Sequence, residues 1–540
     1  MIKKILQKII NLNIIRVLEE NNTTTSQSNS RIQTNRLLEF IRDNRELSAI
    51  PDVFQLLLSK NAEIKLQSAK SLHAIMRTLN STQLIKVDKI FRARGSYDWN
   101  YNLENKEPKE LLHHLLSEEE KVTILGLCSF HPNGYFREKA IINLSQLEKG
   151  YAIPYLLIRV NDWVREVKNV SKKYLLSNLN PGNAMNLVNN LPLVLRLGDC
   201  CRDEHDDIIN SVVSMLSSPE CSSKLISGVL SIDSKVRLSC YKIILETRIL
   251  DNKNIIDYLI KDPNSYIRLF VLRNIQRKIA LEEFIIISQL LLNDRCSQIR
   301  ILALETIYEF NRQDAVAILI NSLFDRNNSV RELSRYLLMK DKKYDFASLY
   351  RDAIQKNEKV YSSICGLGET GNINDTKNIA EFMDSNSVKI VKASINTLAR
   401  LDFAGYKEKF ILILNDCRPG ISKSARRVLY KELDSSDADI IYNIFKRTIY
   451  DHAKTNSCFL LCSLSKWYAI SYIIEFCADK NETIATLGQY SLENWKLKFN
   501  RSFTTPTKNQ VLAIRKSLII FGTSIKDSDR KFIEFSIRNF

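Results

Sequence analysis

"DSKVRLSCYKIILE" (residues 233–246) opens on an acid, passes through a short polar turn, and sets Arg237 seven positions before Ile244. The arrangement returns as "DPNSYIRLFVLRNI" (262–275) with Arg268, "DRCSQIRILALETI" (294–307) with Arg300, and "DRNNSVRELSRYLL" (325–338) with Arg331, at steps of 31, 32 and 31 along the chain. Carrying the register forward reaches Tyr361, Lys392, Lys423, Lys454, Ala485 and Arg515, with every step 30 or 31. Eight of these ten positions are Arg or Lys. Six or seven positions later stands an apolar residue each time: Ile244, Ile275, Ile307, Leu337, Leu367, Leu398, Leu429, Leu460, Leu492 and Phe521. A phase held from residue 237 to residue 521 is an internal repeat, and the repeat decides the fold.

Each period holds two helical patterns. Between Arg300 and Arg331, Ile299, Leu302, Ile307 and Phe310 recur at spacings near three and four, and so do Val316, Ile318, Leu319, Leu323 and Phe324. "NRQD" (311–314) reads as the turn between them, with Asp314 as the expected N-cap. Two amphipathic helices cannot bury their apolar faces alone, so successive hairpins must stack. The predicted fold class is all-α, an α-solenoid of stacked helical hairpins with a period of about 31 residues.

This pattern resembles the HEAT-repeat superfamily, in particular the short repeats of the phycobilisome-lyase type found in many bacterial proteins. The resemblance is carried by Asp294, Ile299, Arg300 and Ala303 in one unit, by Asp325, Val330 and Arg331 in the next, and by their periodic equivalents from about Lys65 onward. It implies that the acids and arginines of successive loops form a structural ladder. It implies no reaction.

"HPNGYFREKAIINL" (131–144) and "VNDWVREVKNVSKKYLL" (160–176) extend the array toward the N-terminus when aligned on Arg137 and Arg165, a step of 28. In that alignment Arg165 is a rung of the ladder, Asp162 is an N-cap, Glu166 sits in the first turn, and Trp163 covers the seam to a neighbouring hairpin. The two segments also look like a block found in large bacterial HEAT proteins of unassigned function. If the chain has a binding hot spot, Tyr135, Arg137, Trp163 and Arg165 are its candidates, because aromatic and Arg side chains dominate interface energetics.

Outside the regular array over 233–540, the chain divides into four further segments. Residues 1–30 form a basic amphipathic helix and a polar linker, and 31–91 hold a degenerate repeat around Lys65. Residues 92–112 are a polar interruption containing Trp99, and 113–232 are repeats with an irregular stretch from Asn180 to Ile232. In that stretch helices are expected at "NAMNLVNNLPLVLRL" (183–197) and "DDIINSVVSMLSS" (206–218). The last segment, with Phe532, Phe535 and Ile537, is expected to cap the array.

The net charge of +17 favours acidic partners, although solvated Lys on helix faces is the plainer explanation of such a charge. Eleven cysteines without any CxxC argue for a reducing compartment and against a disulfide framework. Cys200, Cys201 and His205 lack a second ligand pair at finger spacing, so no metal and no cofactor is expected. Cys458 and Cys462 read as core residues. The N-terminal segment is too often interrupted to span a bilayer, which leaves a cytoplasmic protein that can touch a membrane peripherally through that helix.

The function expected from these features is a non-catalytic scaffold that takes a protein partner on an extended concave surface. The alternative is nucleic-acid binding, which requires Lys and Arg to gather on one face. HEAT-like alkylpurine DNA glycosylases use an Asp among aromatic residues in a cleft, which brings Asp162 beside Trp163 into view. The six histidines share no catalytic spacing, and neither a phosphate loop nor HExxH occurs, so no enzyme is expected.

Overall fold

The computed structural model describes residues 38–39, 41, 43, 46–94, 106–147 and 150–540. The N-terminal helix and linker expected over 1–30, and Trp99, lie outside them. The chain divides into two compact units, 1–280 and 281–540. Each is an all-α stack of helical hairpins, and among the described residues there is no strand. No described helix is long and apolar enough to cross a membrane.

In the first unit the helices that matter below are α1 (Ser81–Ala93), α2 (Glu118–Cys128), α3 (Gly134–Ser145), α4 (Ile153–Arg159), α5 (Arg165–Ser177), α6 (Ser234–Thr247) and α7 (Ser265–Gln276). An aromatic file runs through its core. Phe54 and Phe91 meet at 5.4 Å, Phe91 and Phe130 at 6.2 Å, and Phe130 and Tyr155 at 5.7 Å between ring centroids. These are the tilted and edge-on arrangements that ring quadrupoles favour.

The second unit contains α8 (Ser297–Phe310), α9 (Arg312–Ser322), α10 (Asn328–Asp341), α11 (Val360–Thr370), α12 (Val388–Leu401), α13 (Pro419–Leu429), α14 (Asp451–Cys462), α15 (Glu482–Leu497), α16 (Lys508–Phe521) and α17 (Asp527–Ser536). The periodic apolar positions from Ile307 to Leu492 are all buried in it, as Ile244 and Ile275 are in the first unit. Phe521 is half-buried. Helix α8 carries Ile299, Leu302, Ile307 and Phe310, as their spacing predicts. Helix α9 begins earlier than expected, because Asn311 rather than Asp314 is the N-cap and accepts the Gln313 and Asp314 amides at 3.0 and 3.4 Å. Asn311 adopts an extended backbone, so one residue makes the whole turn.

The ladder is built the same way in both units. Arg237 donates to Asp262 through Nε at 2.8 Å and Nη2 at 3.1 Å, and Arg300 holds Asp325 through Nε at 2.8 Å and Nη2 at 2.6 Å. Each rung arginine is the fourth residue of its helix, and its Nη1 also donates to a backbone carbonyl one loop back: Ser231 for Arg237, Asp262 for Arg268, Asp294 for Arg300 and Asp325 for Arg331. The loop Asp is therefore gripped twice, by the preceding hairpin through its carboxylate and by its own helix through its carbonyl. Its remaining oxygen capacity closes the turn, since Asp262 and Asp325 each accept the amide two positions on at 2.7 Å. Such bidentate, largely buried pairs fix the register of one hairpin against the next.

In the irregular stretch the expected helix over 183–197 is split into Ala184–Asn189 and Leu191–Arg196. Pro192, at the second position of the latter, has no N–H to continue the earlier ladder. The expected helix over 206–218 appears as Asp206–Leu216. At the C-terminal end Phe532 meets Phe499 at 5.1 Å and Trp495 at 6.2 Å, Ile537 is buried, and Phe535 is exposed, its inward place taken by Ile533.

Candidate functional site

The four sequence candidates fall on one edge of the first unit but play different parts. Asp162 follows the C-terminus of α4, and its side chain is buried with that of Arg137. It accepts Arg137 Nη2 at 2.8 Å and the Val164 amide at 3.0 Å on Oδ1. On Oδ2 it accepts Arg92 Nη2 at 2.6 Å, Arg159 Nη1 at 2.9 Å and Arg137 Nε at 3.2 Å. Arg159 reaches on to Asp88 and lies 5.4 Å from the Phe130 ring centre. Three guanidiniums thus share two carboxylates in a largely dry site.

Burial opposes ionisation of Asp162, but the charges of Arg159 and Arg137 and the Val164 amide outweigh it and hold the carboxyl down to about 2. Burial also lowers Arg159, to about 10. With every lone-pair direction of Asp162 taken, no oxygen is left to receive a proton from a substrate. The pairing of Asp162 with Trp163 therefore lacks the free base that glycosidic chemistry on a nucleobase would use.

Three sequence expectations are corrected here. Arg137 is fully buried, so it cannot be a hot-spot side chain; it is a ladder rung with Nη1 on the His131 carbonyl at 3.0 Å. Arg165 is not a rung. It is the exposed first residue of α5, and the fourth residue, Lys168, occupies the rung position and reaches Asp203 at 2.8 Å. The step from Arg137 to Lys168 is 31, the spacing of the regular array, where the alignment on Arg165 used 28. Asp162 is not the N-cap, a place held by Val164.

Trp163 does not cover a seam. Its indole is 68% exposed, with the Arg92 guanidinium 5.6 Å and the Arg202 guanidinium 5.9 Å from the ring centre. The reason is positional. The residue after each loop Asp points outward, and Pro263, Arg295, Arg326, Cys417 and Lys480 lie at the same place, none of them buried. Asp at this turn folds its carboxylate inward over the next amides, which drives its neighbour out. Tyr135 is 81% exposed on the first turn of α3, whose Gly134 lies so close to Val164 that a Cβ there would stand 3.1 Å from Cγ2. Tyr135, Trp163 and Arg165 therefore flank one contact between α3 and the α5 turn.

Arg92, Arg159 and Arg202 escaped the sequence reading. Arg159 stands three positions before Asp162 at a helix C-terminus, a signal available in "IRVND" (158–162). Arg92 lies on α1, far from Asp162 along the chain, and Arg202 lies in the loop read for metal ligands. In that loop Cys201 is exposed, and His205 is buried with Nε2 3.3 Å from Asn161 Oδ1. Among the described residues no group of three or more His, Cys, Asp or Glu could hold a metal ion.

His131 supplies a pH response. Its Nδ1 accepts the Asn133 amide at 3.1 Å, and burial together with the Arg137 charge lowers its pKa to about 4. The folded state thus holds the neutral ring while the unfolded chain protonates near 6.5. The His131 contribution is complete above pH 6.5 and is lost as the pH falls toward 4, on the order of 2–3 kcal/mol. Urea titrations of the full chain at about pH 7 and about pH 4.5 should show this loss, and His131→Gln should flatten it. An equal slope in both proteins would assign the acid sensitivity elsewhere.

No family model matches the chain, and no curated protein matches it. Among solved structures it is similar to importin beta in an ammonium sulfate condition, with 9% identity and a TM-score of 0.36 over 98% of this chain and 84% of that one. It is also similar to Kap121p, with 13% identity and a TM-score of 0.24 over 98% of this chain and 56% of that one. An engineered protein gives 12% identity and a TM-score of 0.20 over 83% and 98% of the two chains. Scores at this level mark a loose superposition of helical arrays and nothing finer.

Proposed function

We propose that the chain is a non-catalytic binding scaffold for a protein partner, built from short HEAT-like repeats of the phycobilisome-lyase type, with the Trp163 edge of the first unit as a binding hot spot. The observation that carries this reading is the state of Trp163. A large indole stands 68% exposed, with two guanidiniums within 6 Å of its ring centre, directly beside a buried charge network. Packing gives no reason for a Trp there, and a rigid aromatic flanked by Arg is the composition that anchors interfaces. Tyr135 and Arg165 extend the same patch with exposed aromatic and cationic surface.

The nucleic-acid alternative draws on the net charge of +17 and needs the cations to gather on one open face, which the ladder cations do not do. Arg137, Arg237, Arg300, Arg331 and Lys454 are all paired with carboxylates. The test begins with affinity capture on the full chain and identification of a stoichiometric protein. Trp163→Ala should then weaken that complex at least about tenfold, roughly 1.4 kcal/mol, while the thermal midpoint moves by no more than about 2 °C. A fall in stability with binding lost only in proportion would return the ring to a packing role. Recovery of nucleic acid alone, released by salt, would favour the alternative.

A further inference from the structure

In the second unit the ladder changes character at α12 and α13. The fourth residues of these helices, where a rung cation stands in α8, α10 and α14, are the buried Val391 and Ser422. The periodic cations Lys392 and Lys423 sit one position later, rotated about 100° around the helix and away from the loop carboxylates. They are therefore released from the ladder that holds Arg300 and Lys454.

Lys392 faces a groove of about 470 Å³ between α11 and α12. Its floor is narrow because the helices touch: a Cβ on Gly368 would lie 2.6 Å from Thr397 Oγ1, which itself donates to the Ile364 carbonyl at 3.0 Å. Lys389, Lys392, Asn396 and Arg400 line one wall from a single face of α12, over a rise of about 16 Å. The one carboxylate at the groove, Glu369, is consumed by Arg331 and by Arg335 Nη1 at 2.8 Å. Among the described residues, Lys389, Lys392 and Arg400 make no ion pair. The groove thus presents three uncompensated cations and calls for an anionic ligand.

Two features choose the kind of anion. Tyr361 is the groove's aromatic ring, and Lys389 Nζ already sits 3.9 Å from its centre, so the face that Lys389 covers is not free to stack a nucleobase. Asn396 spends one N–H on the Lys392 carbonyl at 2.7 Å and keeps an acceptor oxygen and a second N–H, the complement of a peptide group. Along α12, Lys389 and Lys392 are separated by about 4.5 Å of rise and Lys392 and Arg400 by about 12 Å. An extended chain with acids at every second or fourth position, at about 7 and 13 Å, can reach both.

We infer that the α11–α12 groove binds an extended Glu- or Asp-rich peptide segment, its carboxylates seated by Lys389, Lys392 and Arg400 and its backbone by Asn396. The inference rests on the protein-scaffold reading and names the chemistry of one partner segment, at a site apart from Trp163.

Fluorescence anisotropy of a labelled Glu-Ser repeat peptide against the full chain tests it. The peptide should bind with an affinity that falls as salt rises, and the double variant Lys389→Glu, Lys392→Glu should lose at least about tenfold, since each reversal replaces attraction by repulsion. The same reversals at the exposed Lys253 and Lys261 should change it by less than about twofold, and Lys392→Arg should retain binding. Absence of binding by the unaltered protein, or equal weakening by the Lys253 and Lys261 control, overturns the inference. Tighter binding of a single-stranded oligonucleotide of equal charge, lost in the same double variant, overturns it in favour of nucleic acid. Trp163-dependent capture measured in parallel separates the two claims: if it persists while the peptide fails to bind, only the groove assignment falls.

Discussion

Asp162→Ala is expected to destabilise the first unit by about 3–5 kcal/mol, because it strands the buried Arg137 and takes from Arg92 and Arg159 one of their two carboxylates. Arg137 is fully buried and Arg159 nearly so, and Asp162 is the carboxylate they share. Asp88 would be left to answer Arg92 and Arg159 alone. The loss should appear in the first denaturation transition of the full chain and as faster amide exchange in α3 and α5, with the second unit unmoved. Asp162→Asn, which keeps the shape and loses the charge, should fall between the alanine variant and the native protein.

An exposed pair supplies the contrast. Lys172 and Asp207 lie 2.6 Å apart with 39% and 55% of their side chains exposed, and Asp207→Ala should cost no more than about 0.5 kcal/mol. If the two Asp variants were equally mild, the network around Asp162 would be contributing geometry without stability. The acid limb carries the same sign. The Asp162 contribution is present above the unfolded value near 3.8 and disappears as pH falls toward about 2.

Trp495→Ala is the second large effect, about 3–5 kcal/mol in the second unit. Trp495 is buried, meets Trp467 at 6.1 Å and Phe499 at 5.1 Å, and receives Phe532 of α17 at 6.2 Å. Its Nε1 donates to the Lys466 carbonyl at 2.8 Å. Alanine would therefore open a cavity, strand an acceptor and undock the terminal helix together. Trp495→Phe should restore most of the ring contacts and leave a deficit of about 1 kcal/mol for the lost hydrogen bond. Limited proteolysis should cut near α17 first in the alanine variant. Cleavage unchanged from the native protein would mean that α17 is held by other contacts.

The repeat period determined the hairpins and the buried apolar column, because those features depend only on local periodicity and on the need to cover an apolar face, while the charge ladder was implied by the resemblance to HEAT repeats. The burial of Ile307, Leu398 and Leu460 was legible for that reason.

Which cation is a rung was not legible. Each residue turns about 100° around a helix, so one position separates Lys392 from the rung place at Val391, and three separate Arg165 from Lys168. A spacing tolerance of one position, harmless for apolar residues on a broad stripe, reverses the assignment of a charge that must meet one carboxylate. The same limit hid the site around Trp163. Arg92 and Arg202 approach its ring from distant stretches of the chain on either side, and only the stacking of hairpins brings them there. By itself the sequence determined a helical array with a periodic cation at each hairpin. Tertiary packing decided that Asp162 is sealed beneath three arginines while Trp163, its neighbour, faces out.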